Sequence, residues 1–344
     1  MKRSLLLIGL LAFIFVAVAC GTVNEKTSGN NSGPVTEDSS EQADKKEDLG
    51  NKDYNDEENV PEKTEPLDVE QNVTGLIPNE NGQIMILMYH RIGDRESTWT
   101  RTRENFRRDL QTLYDKGYRL ISLKDYLDNK IDLPLGTTPV ILTFDDGTSG
   151  QFDFIEGDED LQIDPGSAVG IMKEFYEEHP DFGLEATFYV NQRPFNYRYW
   201  KEAVKTIVGL GMDIGNHSLT HENLKKIPIE KYPDEIGGLV AHITEALPDY
   251  IIDTIALPNG GYPQDVDKAL EGEFQGVKYK NRALLLVGAR PAPAPTDPAF
   301  NPLKLPRVRA DEENLYRWLD YFDKHPEKRY VSNGIMEGKK YNLK

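Results

Sequence analysis

The chain has a single cysteine, Cys20, among 344 residues. One thiol excludes an internal disulfide and any cysteine-rich metal site, so a metal, if held, must be held by histidine and carboxylate. Histidine is also scarce, with six in the whole chain, so two close together carry more information than they otherwise would. Basic residues are outnumbered, 40 Lys and Arg against 58 Asp and Glu, and the formal charge is −18. A nucleic-acid partner, which needs a basic face, is therefore excluded as an expectation. There is no internal repeat. The one long apolar run, Leu5 to Val18, is about 14 residues and short for a membrane span.

That run follows Met1-Lys-Arg3 and ends in small residues, the layout of an export signal. Its end, Ala17-Val-Ala-Cys20, resembles the lipobox of bacterial lipoproteins. The resemblance implies that Cys20 is lipidated, becomes the new N-terminus and anchors the protein on the extracytoplasmic face of the membrane. Residues 21–82 are then dominated by Ser, Asn, Thr, Asp, Glu and Lys. Between Gly21 and Glu80 there are sixteen acids against five bases, and Tyr54 is the only aromatic. Such a segment cannot bury enough apolar surface to offset its ordering entropy, which predicts a disordered acidic linker. About 60 flexible residues span on the order of 45 Å, a tether reaching out into the wall.

Residues 83–344 read as one folded domain. Ile84–Met88 is a buried strand, followed by helices near Glu104–Lys116 and from Leu123, with a short strand at Arg119–Ser122 between them. Further strands are expected at Pro139–Phe144, Glu185–Val190, Met212–Gly215, Thr254–Leu257, Ala283–Val287 and Leu305–Val308. Helices are expected at Ala168–Glu178, Tyr199–Leu210, Pro233–Leu247, Pro263–Leu270 and Glu312–Asp323. Thr148–Asp164 reads as a loop, and Pro291–Pro295 as a rigid wall of a groove. Alternation at this spacing implies an α/β fold with a mostly parallel sheet, a barrel rather than an open sheet. In either architecture the site lies at the carboxyl ends of the strands.

Two stretches carry chemistry. In Pro139-Val-Ile-Leu-Thr-Phe-Asp-Asp-Gly147 an apolar strand stops in two acids and a glycine. Adjacent strand residues point to opposite faces, so Asp145 and Asp146 serve one site only if the backbone turns there, as Gly147 permits. Neighbouring carboxylates repel, and a cation relieves them. The second stretch is Asp213-Ile-Gly-Asn-His217-Ser-Leu-Thr-His221. If it turns helical after Gly215, both histidines share one face, with Asn216 or Ser218 orienting them. One carboxylate with two imidazoles leaves positions open, as a hydrolytic metal site does.

Thr143-Phe-Asp-Asp-Gly147, Ala186-Thr-Phe-Tyr-Val190 and Asn216-His-Ser-Leu-Thr-His221 occur, in this order, as in polysaccharide deacetylases, carbohydrate esterase family 4 with its NodB-homology domain. The domain resembles that family from about Gln83 to Asp323. Its opening, Met88-Tyr-His-Arg-Ile92, looks like members with extra structure before the acidic strand. The resemblance implies a distorted (β/α)7 barrel and metal-dependent removal of acetyl groups from a cell-wall polysaccharide, peptidoglycan or another N-acetylhexosamine polymer. It makes Asp145 the general base and Asp146, His217 and His221 the ligands of a divalent metal, commonly zinc, with cobalt or nickel as alternatives.

Two family features are missing. Where an arginine usually precedes Pro and Tyr-Gly, this chain has Ala256-Leu-Pro-Asn-Gly-Gly-Tyr-Pro263; where a Leu-x-His supplies the general acid, it has Ala283-Leu-Leu-Leu-Val287. Arg91, Arg193 and Arg290 are candidates for the arginine, and His90, ending the first strand, for the acid. Asn259 and Tyr262 are candidates for the substrate groove, and Tyr197, Tyr199 and Trp200 for sugar stacking. His179, His242 and His325 are expected on exposed helices or loops, without a role in the site. The competing reading is a deacetylase-fold protein that binds cell-wall glycan with little or no turnover and supports envelope integrity.

Overall fold

The computed structural model describes residues 72–157 and 160–335. The export-signal reading and residues 21–71 of the expected linker lie outside the described residues. The chain is already packed on the body at Val73, whose N–H meets the Leu135 carbonyl, and Asn79 bridges to Val331. Among the described residues no helix is long and apolar enough to cross a membrane.

Seven parallel strands form the frame: β1 (Met85–Tyr89), β2 (Thr138–Asp145), β3 (Thr187–Val190), β4 (Asp213–Asn216), β5 (Thr254–Ala256), β6 (Ala283–Leu285) and β7 (Val308–Arg309). Their order across the sheet is β6-β5-β4-β3-β2-β1-β7, and a short strand, Tyr118–Leu120, adds to β2. The two ends of this series approach each other, with Leu285 at the end of β6 bridging Leu305 just before β7. Curling of this kind follows from the fixed twist of parallel strands. The helices are α1 (Arg103–Asp115), α2 (Leu123–Leu127), α3 (Ala168–Glu178), α4 (Trp200–Gly209), α5 (Gly238–Thr244), α6 (Val266–Leu270) and α7 (Glu312–Lys324). Ser167 caps α3 through the Gly170 N–H at 3.1 Å, and Asp311 caps α7 through the Asn314 N–H at 2.8 Å, each worth about 1 kcal/mol. This is the (β/α) barrel that the sequence predicts.

The strands sort their side chains by a period of two. Ile84, just before the first strand, and Ile86 within it join Ile141, Tyr189, Ala256 and Leu285 in one buried cluster, while Met85, Leu87 and Tyr89 join Phe144, Phe188 and Ile214 in the other. Phe144 stacks between Tyr89 and Phe188, with ring centroids 5.3 and 4.9 Å away. The first cluster fills the space between the strands. Carrying its alternation to the carboxyl ends brings His90, Asp145 and His217 to the same inner face.

Several boundaries differ from the sequence reading. Within the expected loop Thr148–Asp164 there is a two-stranded hairpin, Phe154–Glu156 with Leu161–Ile163, and a second hairpin, Glu271–Phe274 with Val277–Lys280, follows α6. Both are short, so neither shows a long alternating pattern. The expected helix Pro233–Leu247 begins as a π-helical turn, Pro233–Gly237, before α5. The Pro291–Pro295 run is not a wall of the site. Ala292 pairs with Ile84 at the opposite end of β1, and Pro293 accepts a hydrogen bond from the Tyr126 hydroxyl.

Candidate active site

Asp145 is the last residue of β2, and the turn after it is sharp. Asp146 has φ 78° and Gly147 φ 61°. A side chain at 147 would also press on Val190 and Pro194, 3.2 and 3.3 Å from where its Cβ would lie. This left-handed pair swings Asp146 to the side of the strand on which Asp145 points, the turn the adjacent acids require. The Asn191 amide, leaving β3, fixes the turn by donating to the Asp146 carbonyl at 3.1 Å.

The histidine segment leaves β4 without forming a helix. Ser218 has φ 57° and His221 φ 63°, so the two imidazoles converge through a folded loop rather than along one helix face. Asn216 and Ser218 shape that loop, as expected. Asn216 Oδ1 accepts from the Ser218 N–H, and Ser218 Oγ from the Glu222 N–H, each at 2.9 Å. Three non-glycine residues held at positive φ within one site are strain that surrounding structure must sustain, and such strain gathers at functional positions.

The outcome is a three-donor cradle. Asp146 Oδ1 lies 3.4 Å from His217 Nε2 and 3.3 Å from His221 Nε2, and all three donor atoms fall within 4.8 Å of one another. His217 Nδ1 is 2.8 Å from the Ala256 carbonyl. A carbonyl only accepts, so Nδ1 carries the hydrogen and Nε2 presents its lone pair to the cradle, the usual arrangement behind a metal-binding histidine. Ligands about 2.0–2.1 Å from a tetrahedral ion stand about 3.3 Å apart, the spacing found from Asp146 to each histidine. The donor set fits a divalent cation. Burial tends to raise the Asp146 pKa, but the two histidines facing it outweigh burial and hold the carboxyl far below the usual range. The same Asp146 contact raises the His221 pKa.

Asp145 sits in a different environment. It is buried, which by itself disfavours its charge, yet its pKa is lowered because a guanidinium faces it. That guanidinium belongs to Arg307, which is fully buried. Its Nη1 and Nη2 donate to the two carboxylate oxygens at 2.7 Å each. Nη1 also reaches Thr143 Oγ1 at 3.1 Å, and Nε the Leu286 carbonyl at 2.9 Å. This two-pronged pair fixes the carboxylate plane as well as its charge. None of Arg91, Arg193 and Arg290 takes this place; all three are exposed. The sequence held a signal for Arg307. With Leu305 facing inward, a period of two puts Arg307 on the same inner face, where a charge needs a partner.

His90 follows β1 directly and is mostly buried, its ring 4.5 Å from that of Trp99. Burial lowers its pKa, and the nearby Asp145 and Asp146 oppose that without cancelling it. The Trp99 loop is anchored by Arg101, which binds buried Asp109 through Nε at 2.9 Å and Nη2 at 2.7 Å. Asn259 (φ 54°) and Tyr262 lie on the segment leaving β5. Among the described residues neither hydrogen-bonds to the acids or histidines of the cradle. Tyr197 is 52% exposed and is available for stacking; Trp200 is not, being buried against His242 with ring centroids 4.2 Å apart. His179 and His325 pack on Tyr114 and Tyr321.

Residues 133–273 match the family model of polysaccharide deacetylases. In that segment the chain is similar to polysaccharide deacetylases. Its fold is shared with a polysaccharide deacetylase from Bacillus cereus, at 18% identity and TM-score 0.52, the match covering 70% of this chain and 69% of that one. The Streptococcus pyogenes deacetylase PplD, solved with acetate, matches at 20% identity and TM-score 0.52 over 70% of this chain and 98% of its own. IcaB from Ammonifex degensii matches at 19% identity and TM-score 0.50 over 70% and 97%. No curated protein matches the chain. The family segment holds the acid pair and the histidine pair, whereas His90 and Arg307 both lie outside it.

Proposed function

We propose that this domain is a metal-dependent deacetylase that removes N-acetyl groups from a cell-wall polysaccharide, peptidoglycan or another N-acetylhexosamine polymer. The observation that carries this reading is the pairing of buried Asp145 with Arg307 beside the Asp146, His217 and His221 cradle. A domain that only bound glycan would have no need to keep a second carboxylate ionised at a cost in desolvation.

Asp146, His217 and His221 would hold the cation, zinc by the preference of this donor set, with cobalt or nickel as substitutes. When bound, such an ion polarises the acetyl carbonyl and acidifies water. Asp145, held anionic and oriented by Arg307, takes the proton of the attacking water. The carbon–nitrogen bond then breaks, acetate leaves, and the amine nitrogen needs a proton. His90 is the side chain we assign to that donation, since Val287 stands where the family histidine would be. Asn259 and Tyr262 are assigned to the groove wall.

The test is acetate release by the full chain from chitooligosaccharides and from peptidoglycan, with and without added zinc. Release that depends on zinc supports the reading. Tight glycan binding with no release on either substrate would move it to the wall-binding alternative. The lipid anchor is a separate proposal, resting on Ala17-Val-Ala-Cys20 and the acidic stretch after it. Cys20→Ser should move the protein out of the membrane fraction, and unchanged retention would contradict the anchor.

A further inference from the structure

The parallel ladder between β1 and β2 ends at the pair Tyr89 and Phe144. The next carbonyls, of His90 and Asp145, stand one rung beyond the ladder. Both accept hydrogen bonds from a single group, the side-chain amide of Gln151. Its Nε2 lies 2.7 Å from the His90 oxygen and 2.5 Å from the Asp145 oxygen. Gln151 is wholly buried. Its own main chain is fixed at both ends, with its N–H donating to the Thr148 carbonyl at 2.9 Å and its carbonyl accepting from Val169 in α3 at 3.1 Å. Its Oε1 is buried and meets no donor among the described residues. The carboxamide is therefore present for its two N–H groups, and both go to the backbone of the residues proposed as acid and base.

We infer that Gln151 is a positioning residue, a side-chain rung that sets the separation of His90 and Asp145 at the ends of β1 and β2. Geometry makes the consequence large. Asp145 is still paired to Tyr189 of β3 on its other side, but the β1–β2 ladder has no further rung to hold His90 in register with it, and a displacement of about 1 Å between reacting groups costs up to about a hundredfold in rate. Gln151 makes no hydrogen bond to the side chains of Asp146, His217, His221 or Arg307, so its loss should separate from loss of metal. The inference builds on the deacetylase reading for its kinetic consequence, although the tie between the two backbones is independent of it.

The experiment uses the full chain with Gln151→Met, which keeps the length and removes both donors, and Gln151→Glu, which puts acceptors in their place. On the N-acetylated substrate the expected result is a ten- to hundredfold fall in kcat, with KM and zinc affinity within twofold of wild type. Gln151→Asn, which keeps both donors on a shorter arm, should lose less and serves if the other variants do not fold. The His90 ring resonance, assigned by its disappearance in His90→Gln, should move in Gln151→Met and stay in place in the exposed control Gln111→Met. Wild-type kcat in Gln151→Met, or a parallel collapse of kcat, zinc affinity and melting temperature, would overturn the inference. If wild type itself releases no acetate, the deacetylase reading fails, and the His90 resonance alone decides: unmoved in Gln151→Met, it overturns the inference as well.

Discussion

The two halves of the site are built in opposite ways. The cation cradle is local: Asp146 follows β2, His217 and His221 follow β4, and both segments reach the site through residues at positive φ. The acid–base half is dispersed. It takes Asp145 from β2, His90 from the end of β1, Arg307 from beside β7 and a backbone tie from Gln151. A local unit leaves a compact imprint in sequence because strained turns and ligand spacing constrain neighbouring residues. A dispersed one is defined only when the barrel closes, so its members can lie anywhere along the chain.

This contrast can be broken from either side. His217→Ala should have the largest effect, since it removes a ligand where loss of a mere supporting contact already costs about 10–100-fold in metal affinity. Zinc titration should show no tight site and acetate release should fall to background. Retained stoichiometric zinc would mean the cradle is not the binding site.

Arg307→Met attacks the other half and should leave zinc in place. It strands a buried carboxylate, so a loss of about 3–5 kcal/mol in stability at neutral pH is expected from thermal or denaturant unfolding. The sign with pH follows from Asp145. Its folded pKa is lowered, so the ion pair stabilises above the unfolded carboxylate pKa of about 3.8 and that gain is lost as pH falls below it. In the variant, burial without the guanidinium raises the carboxyl's pKa, so its penalty shrinks as pH falls toward about 3.8, above the range in which the wild-type gain is lost. The stability gap between the two proteins should therefore narrow toward pH 3; a gap unchanged with pH would contradict the pairing. His90→Gln is the milder change. It should lower kcat by about a hundredfold, flatten the alkaline limb of the pH–rate profile and leave zinc affinity unchanged. An unaltered profile would remove His90 from the reaction.

The same difference decides how much was readable in advance. The strand–helix alternation, the turn after Asp145 and the grouping of Asp146, His217 and His221 all rest on short-range signals: period-two strands, a glycine where φ must be positive, ligands four residues apart. The segment after Gly215 does not turn helical; the imidazoles are brought together by left-handed residues at Ser218 and His221, which side-chain type does not announce. Arg307 went unrecognised although its strand was expected. Three exposed arginines near strand ends competed with it, and only the buried inner face distinguishes the one that meets Asp145. Gln151 gives no sequence signal, since its role is to satisfy two backbone carbonyls that exist only once the strands are paired. The two short hairpins were hidden for the related reason that three- or four-residue strands carry little pattern.

The most direct test of the account is a paired measurement on one purified sample of Asp145→Asn, zinc content and acetate release together. The division into cradle and acid–base half predicts about one zinc per chain with acetate release reduced by about 10²–10⁴-fold. Release at the wild-type rate with zinc bound would contradict the assignment of Asp145, and loss of zinc along with activity would contradict the separation of the two halves.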